Sequence, residues 1–259
     1  MSQPAAGPPG QRFFFCHLQK TGGTSLLLRL RRFFGARHVY PTRADGDRFA
    51  RVFSVPLLQQ RWQERGSQIR LVTGHFPLCT QDLLGGGFRT FTILREPVTR
   101  TLSYLRHCQV LIPADRGKSL EALYAEQPRF EALVHNHMVK MLSLTPEEMT
   151  RGMLTRVAFD EARLAAAKRR LQSIDVLGVQ ERFDEFCASL ESTFGFDLGP
   201  PVFVNHTLGA PASPAFCQRI SEDNALDVEL YRFALTLLET ASPRPFVCSG
   251  PPPAEPSEA

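Results

Sequence analysis

Residues Phe13-Phe-Phe-Cys-His-Leu-Gln-Lys-Thr-Gly-Gly-Thr-Ser25 run from an aromatic stretch through paired glycines into a leucine-rich segment. That order reads as a buried strand, a tight turn carrying a lysine, and a helix opening on Thr-Ser. The helix continues to Phe34, with apolar residues at 26, 27, 30, 33 and 34, and Gly35 ends it. A helix start carries unpaired backbone N–H groups and the positive end of the peptide dipoles. Gly22 and Gly23 let those groups close around an anion, because no Cβ blocks the approach. Lys20 adds a full positive charge, while Thr21, Thr24 and Ser25 add hydroxyl donors. The segment is therefore a predicted binding site for a phosphate or sulfate group.

A second stretch repeats the plan. Phe88-Arg-Thr-Phe-Thr-Ile-Leu-Arg-Glu-Pro-Val-Thr-Arg-Thr-Leu-Ser-Tyr104 has strand character over 89–94. Pro97 suits the first turn of a following helix, where a missing N–H costs little. Arg95 then falls at the carboxyl end of the strand and Ser103 in the second turn of the helix. Between these stretches, Arg70-Leu-Val-Thr-Gly-His75 reads as a third strand, ending in Gly-His at the same edge. An imidazole titrates near neutrality and can accept a proton. Open parallel α/β sheets bind ligands at the carboxyl ends of their strands, so the three segments point to one site.

The order His17-Leu-Gln-Lys-Thr-Gly-Gly-Thr-Ser25 departs from the P-loop of nucleotide triphosphatases, where the lysine follows the second glycine; here Lys20 precedes Gly22 and Gly23. It resembles instead the phosphosulfate-binding loop of sulfotransferases. Within that family it is most similar to the branch containing the heparan sulfate 2-O- and 6-O-sulfotransferases and their bacterial relatives. Gln19 stands where many relatives have proline, a departure shared with the 6-O-sulfotransferase branch. The spacing of eight between Arg95 and Ser103 matches the family's 3′-phosphate motif, an R-x-P-x-x-R segment with a serine further on.

The resemblance implies an α/β fold, P-loop-like and three-layered, with a central, mainly parallel sheet flanked by helices. It implies that Lys20, Thr21, Gly22, Gly23, Thr24 and Ser25 hold the 5′-phosphosulfate of PAPS (3′-phosphoadenosine 5′-phosphosulfate). Arg95, through its planar fork of donors, and Ser103 would hold the 3′-phosphate, with Arg100 and Arg106 as nearby helpers. It further implies sulfuryl transfer to an acceptor hydroxyl of a carbohydrate or small molecule, with Lys20 and His75 as catalytic residues and His75 as the base. Asn205 and Thr207 are expected near the adenine and the 3′-phosphate. Asn136 and Lys140 resemble a point where relatives contribute to the acceptor side, and packing explains that segment equally well. Two alternatives stand beside this one. An ATP-dependent small-molecule kinase is opposed by the displaced lysine and the lack of a clear Mg²⁺-binding acidic strand end. A non-catalytic nucleotide-binding descendant is opposed by the intact Lys20, His75, Arg95 and Ser103.

Hydrophobic content of 43% and charged content of 22% over 259 residues suit one globular domain whose core needs no staples. The expected division is a flexible terminus over 1–11, one domain over 12–248 and a Pro-rich disordered tail over 249–259. The net charge of +4 comes mostly from arginine, since lysine occurs only at 20, 118, 140 and 168. Arg29-Leu-Arg-Arg32 and Lys168-Arg-Arg170 read as solvated helix faces, and no nucleic-acid partner is expected. Six cysteines, at 16, 79, 108, 187, 217 and 248, lack C-x-x-C spacing, so neither a disulfide framework nor a metal site is expected. The first residues lack a hydrophobic signal core, and no run is long enough to span a membrane. Animal enzymes of the resembling branch usually carry a Golgi signal anchor, and its absence favours a cytoplasmic protein.

Further expected elements are a helix over 56–68, a mobile loop over 76–88 around Gly85-Gly-Gly87, and one or two helices over 119–142. A helix over 160–173, a strand over 175–179 and a helix over 182–194 follow. A final helix over about 222–239 is expected to be capped by Ser221 and to stack Leu226, Leu230, Phe233 and Leu237. His17 is expected to be packed. His107, His135, His137 and His206 rival His75 with less positional support, and His38 is the weakest.

Overall fold

Alternating side chains along the first strand decide the layering. In β1 (Arg12–Cys16), Phe13 and Phe15 point to one face and Phe14 and Cys16 to the other, all four fully buried. A strand buried on both faces needs helices above and below it. The computed structural model, which describes residues 10–149, 151–202 and 211–241, supplies them. β1 is the central strand of a five-stranded sheet formed with β2 (Val39–Tyr40), β3 (Leu71–Gly74), β4 (Phe88–Leu94) and β5 (Val176–Val179), in the order β2-β3-β1-β4-β5. Every pairing is parallel; Phe14 lies beside Val72 on one side and Thr90 on the other.

Along the chain the helices are α1 (Gly23–Phe34), α2 (Ala50–Phe53), α3 (Val55–Arg65), α4 (Thr80–Leu83), α5 (Pro97–Leu111) and α6 (Leu120–Tyr124). They continue as α7 (Gln127–Arg129), α8 (His137–Ser143), α9 (Glu161–Gln172), α10 (Phe183–Phe194), α11 (Pro214–Asp223) and α12 (Ala225–Ala241). Leu26, Leu30, Phe33 and Phe34 of α1 join Phe186, Leu190 and Phe194 of α10 over the Phe13/Phe15 face. Leu58 of α3, Met138 and Met141 of α8, Leu164 of α9 and Leu230 of α12 cover the other. The result is the three-layer α/β fold with a parallel central sheet that the sequence implies.

The strand order also positions a site. The chain leaves β1 toward β2 and β3 on one side, and leaves β4 toward β5 on the other. Adjacent strands whose exits diverge open a crevice at their carboxyl ends, the switch point where open α/β sheets take ligands. The β1–α1 and β4–α5 turns meet there.

Elsewhere the structure differs from expectation. The first half of segment 76–88 is packed rather than looped out, while Asp82, Leu83, Gly85 and Gly87 stay exposed: Phe76, Leu78, Cys79, Thr80 and Leu84 are buried, and the Leu78 N–H donates to the Met141 carbonyl at 2.9 Å. Apolar residues at 76, 78, 79 and 84 follow neither helical nor strand spacing, which hides their burial from a periodicity reading. The stretch 119–142 is more broken than expected, with Asn136 in the left-handed region (φ 42°) just before α8. The final helix is two helices, α11 and α12, and Ser221 lies inside α11 instead of capping a helix. The cap of α11 is Ser213, whose hydroxyl accepts from the Phe216 N–H at 3.2 Å. Asn224 holds the break, donating to the Ile220 carbonyl and accepting from the Asn136 N–H, both at 2.8 Å. Leu226, Phe233 and Leu237 nonetheless pack with buried Leu230 on one core face.

Arg29 is not a solvated charge. It is 5% exposed and donates to the Leu198 and Gly199 carbonyls at 3.0 and 2.9 Å and to Cys187 Sγ at 3.0 Å, tying α1 to α10 and the chain beyond it. The other basic cluster is paired in part, Lys168 with Glu229 and Arg170 with Asp82. Among the described residues no helix is long and apolar enough to cross a membrane. Asn205, His206, Thr207, Cys248 and the expected tail over 249–259 lie outside the described residues.

Candidate functional site

The turn from β1 to α1 is built from its own backbone and two glycines. The Thr21 hydroxyl donates to the Leu18 carbonyl at 3.0 Å, so this predicted anion donor has its proton committed within the turn. Gly22, at φ 84°, adopts a conformation that a Cβ would strain. Gly23 serves a different need: a Cβ there would lie 2.0 Å from His17 Nε2, so its absence makes room for the His17 ring. Lys20 itself sits at φ 67°. For a residue with a Cβ that conformation costs about 1–2 kcal/mol, and strain of this kind gathers at functional sites. No side chain caps α1, and its first turn contains no acidic residue. The helix start thus offers backbone N–H groups and dipole to an anion, with Thr24 exposed beside them.

The turn from β4 to α5 is closed differently. The Glu96 carboxylate accepts from the Val98 and Thr99 N–H groups at 2.9 and 2.8 Å. It neutralises the start of α5, so any anion held here must be held by side chains. Arg95 is placed to do so. Its Nη1 donates to the Lys20 carbonyl at 3.1 Å, joining the two turns, while its Nε is buried without a partner. Ser103 lies along α5 at 8% exposure. Arg100, expected as a helper, is fully buried and donates through Nη2 to the Val134 carbonyl at 3.1 Å. It anchors the chain under the site and does not reach the crevice. Burial first, and then the neighbouring Arg95, pulls the Lys20 ammonium below the ordinary lysine value.

β3 delivers His75 to the same edge. Its backbone N–H donates to the Val52 carbonyl at 2.8 Å, and ring Nδ1 lies 2.9 Å from the His17 carbonyl. A carbonyl only accepts, so Nδ1 carries the proton and Nε2 holds the lone pair. Burial, reinforced by the Lys20 and His107 charges and opposed by the bond to His17, lowers the ring's pKa to about 4. Below the ordinary histidine value of 6.5 the unfolded chain would bind a proton that the folded ring resists, so His75 stays neutral through the neutral range.

His107, expected as a rival with less positional support, lies near Lys20. It sits one turn beyond Ser103 on α5, and burial followed by the Lys20 and Arg48 charges lowers it to about 4. The i, i+4 relation to Ser103 was the available signal. His17 is packed as expected, stacked on Phe15 at 5.0 Å. His137 is fully buried, and neither ring nitrogen has a hydrogen-bond partner. His135 lines a separate cavity with Glu131, Arg156 and Phe159, and half-buried His38 lies against the Gln68 carbonyl.

Asn136 and Lys140 have structural work. Asn136 Oδ1 accepts from the Asp227 N–H at 3.0 Å, and fully buried Lys140 donates to the Ala132 carbonyl. Asp227 in turn accepts from the Met138 and Val139 N–H groups at the start of α8. These contacts favour the packing explanation of that segment. Among the described residues no group of three or more His, Cys, Asp or Glu side chains is placed to hold a metal ion.

No family model matches the chain, and no curated protein matches it. Among solved structures, the chain is similar to the crystal structure of a sulfotransferase from Alicyclobacillus acidocaldarius. That likeness has a TM-score of 0.48 and 15% identity, and covers 89% of this chain and 96% of the other.

Proposed function

We propose that the crevice between β1 and β4 binds PAPS and that the protein transfers its sulfuryl group to an acceptor hydroxyl. The observation that carries this reading is the union of the two anion-binding turns through the Arg95–Lys20 bond, beside a neutral His75 whose Nε2 is the accepting nitrogen. One molecule with an anionic group at each end would be served by both turns. The open start of α1 suits the phosphosulfate, and the Arg95 fork with Ser103 suits the 3′-phosphate.

In the transfer, His75 Nε2 takes the hydroxyl proton as the acceptor oxygen bonds to sulfur. The bond between sulfur and the bridging oxygen breaks on the opposite side, and its electron pair leaves with adenosine 3′,5′-bisphosphate. Lys20 and the α1 N–H groups oppose the charge that grows on the bridging and phosphate oxygens, a contribution made by positioning and electrostatics. The acceptor is a carbohydrate or small molecule, and the setting is a single domain over 12–248 in the cytoplasm.

Calorimetric titration of the folded protein with adenosine 3′,5′-bisphosphate, 5′-AMP and ATP tests this. The bisphosphate should bind most tightly. Arg95→Ala should weaken it about 10- to 100-fold, the worth of a charged hydrogen bond, while changing 5′-AMP far less. Because Arg95 also braces the Lys20 carbonyl, a purely structural role would weaken both ligands alike. Preference for ATP, or no nucleotide binding at all, would overturn the proposal.

A further inference from the structure

Six aromatic rings form a continuous column through the candidate base. Phe91 stacks on Phe15 at 4.9 Å, Phe15 on His17 at 5.0 Å, and His17 meets His75 at 4.6 Å. Phe53 stacks on His75 at 5.3 Å, and Phe49 lies over Phe53 at 6.4 Å. The inner end of the column is buried in the sheet, whereas Phe49 is 64% exposed. The outer two rings open onto a cavity of about 430 Å³, a volume in the range of small-molecule sites.

The chemistry of that cavity is one-sided. Leu83, Met149 and Leu154 line it together with Phe49, Phe53 and Pro56, and its single charged residue is Arg151. Phe49, Leu83 and Leu154 are three of the seven large hydrophobic residues that the described surface exposes, at 64%, 37% and 47%. Their convergence on one concavity marks a ligand surface, since scattered single apolar residues would need no explanation. No carboxylate lines it, and besides Arg151 its polar side chains are Gln59 and Ser54, whose hydroxyl accepts the Leu57 N–H at the start of α3. A saccharide would therefore meet mostly walls unable to replace its lost hydrogen bonds to water. An apolar ring or chain would gain from burial.

The cavity wall is also tied to the anion-binding turn. Gln19, in the turn beside Lys20, donates to Met153 Sδ at 3.9 Å, which ties the anion-binding turn to the 151–155 segment forming one cavity wall. Gly152 packs so closely on residue 53 that a Cβ would lie 3.2 Å from the Phe53 carbonyl oxygen.

We infer that this cavity is the acceptor pocket and that the acceptor is an apolar alcohol or phenol, which rests on the sulfuryl-transfer reading above. Its apolar body lies against Phe49, Phe53 and Leu154, and its hydroxyl reaches past Phe53 to His75. The bond made is acceptor oxygen to sulfur, the bond broken is sulfur to bridging oxygen, and the proton goes to His75 Nε2.

The test is calorimetry on the full chain with 2-naphthol and 1-octanol, against methyl glucoside and a glucosamine–uronic acid disaccharide. Adenosine 3′,5′-bisphosphate is titrated in parallel. Phe49→Ser and Leu154→Ser alter exposed positions, which surface substitution tolerates. Each should weaken 2-naphthol about tenfold, the loss of roughly half a buried side chain's transfer energy, and leave bisphosphate affinity unchanged. Failure of both apolar alcohols to bind, tighter binding of either sugar, or 2-naphthol affinity indifferent to both substitutions would overturn the pocket assignment. If 2-naphthol behaves as expected but the bisphosphate does not bind, the transfer reading fails and the acceptor role falls with it. The apolar site would then remain as a separate finding.

Discussion

The two strand-to-helix turns at the crevice share a plan and differ in how each treats its helix start. At α1 the chain supplies Gly22 and Gly23, no acidic side chain and no cap, and it places Lys20 at a strained positive φ. At α5 it supplies Pro97 and a glutamate whose carboxylate takes two of the orphan N–H groups. The first turn keeps backbone donors and dipole available to a ligand, at a cost in strain; the second satisfies them internally and leaves recognition to Arg95 and Ser103. Dense donors with no intervening Cβ suit a group on which charge grows during reaction. A side-chain fork suits a phosphate that is only held. On the proposed sulfuryl-transfer reading, similar local sequence grammar serves chemistry at one turn and selectivity at the other.

Four substitutions would break or sharpen that contrast. Lys20→Ala should lower turnover by about 10²–10³-fold with little change in thermal unfolding, and wild-type turnover would remove the first turn from the chemistry. In the same assay, Lys20→Gly should be as inactive yet about 0.5–1 kcal/mol more stable than Lys20→Ala, because only glycine escapes the αL strain. Gly23→Ala should destabilise by about 1–3 kcal/mol, because the new Cβ would collide with His17 and disturb the ring column. Denaturant midpoints that coincide with wild type would show that His17 yields freely. Glu96→Ala has the smallest expected effect, a loss of about 1 kcal/mol from an uncapped α5. Bisphosphate affinity should hold or rise slightly once a carboxylate near Arg95 is gone. A marked fall in that affinity would mean that Glu96 orients Arg95, and the second turn would then be more than a closed helix start.

Much of this was legible in the chain because it is local. The aromatic run 13–15, the glycine pair, the leucine spacing of α1 and the Pro97 helix start each express the preferences of neighbouring residues. The parallel α/β class and the three converging segments follow from them. The packed stretch 76–80 differs from expectation for the complementary reason: its burial follows no period and depends on distant contacts such as that of Leu78 with α8. The single helix expected over 222–239 broke at Asn224 because Asn136, 88 positions earlier, supplies the partner that makes a break stable.

By itself, then, the sequence determined the strands, the turns and the identity of the groups that reach the carboxyl edge. Which states those groups adopt was decided only by tertiary contact. His75 owes its accepting Nε2 to a carbonyl 58 residues away, and Arg95 braces a carbonyl 75 residues away. Glu96 and Gly22 set opposite helix starts, but only the sheet order brings them together at one crevice. The apolar cavity proposed for the acceptor is the extreme case, since Phe49, Leu83, Met149 and Leu154 share no motif and no spacing. Hydrophobic burial is non-directional and acts through space, so a wall assembled from three distant segments leaves no local signature.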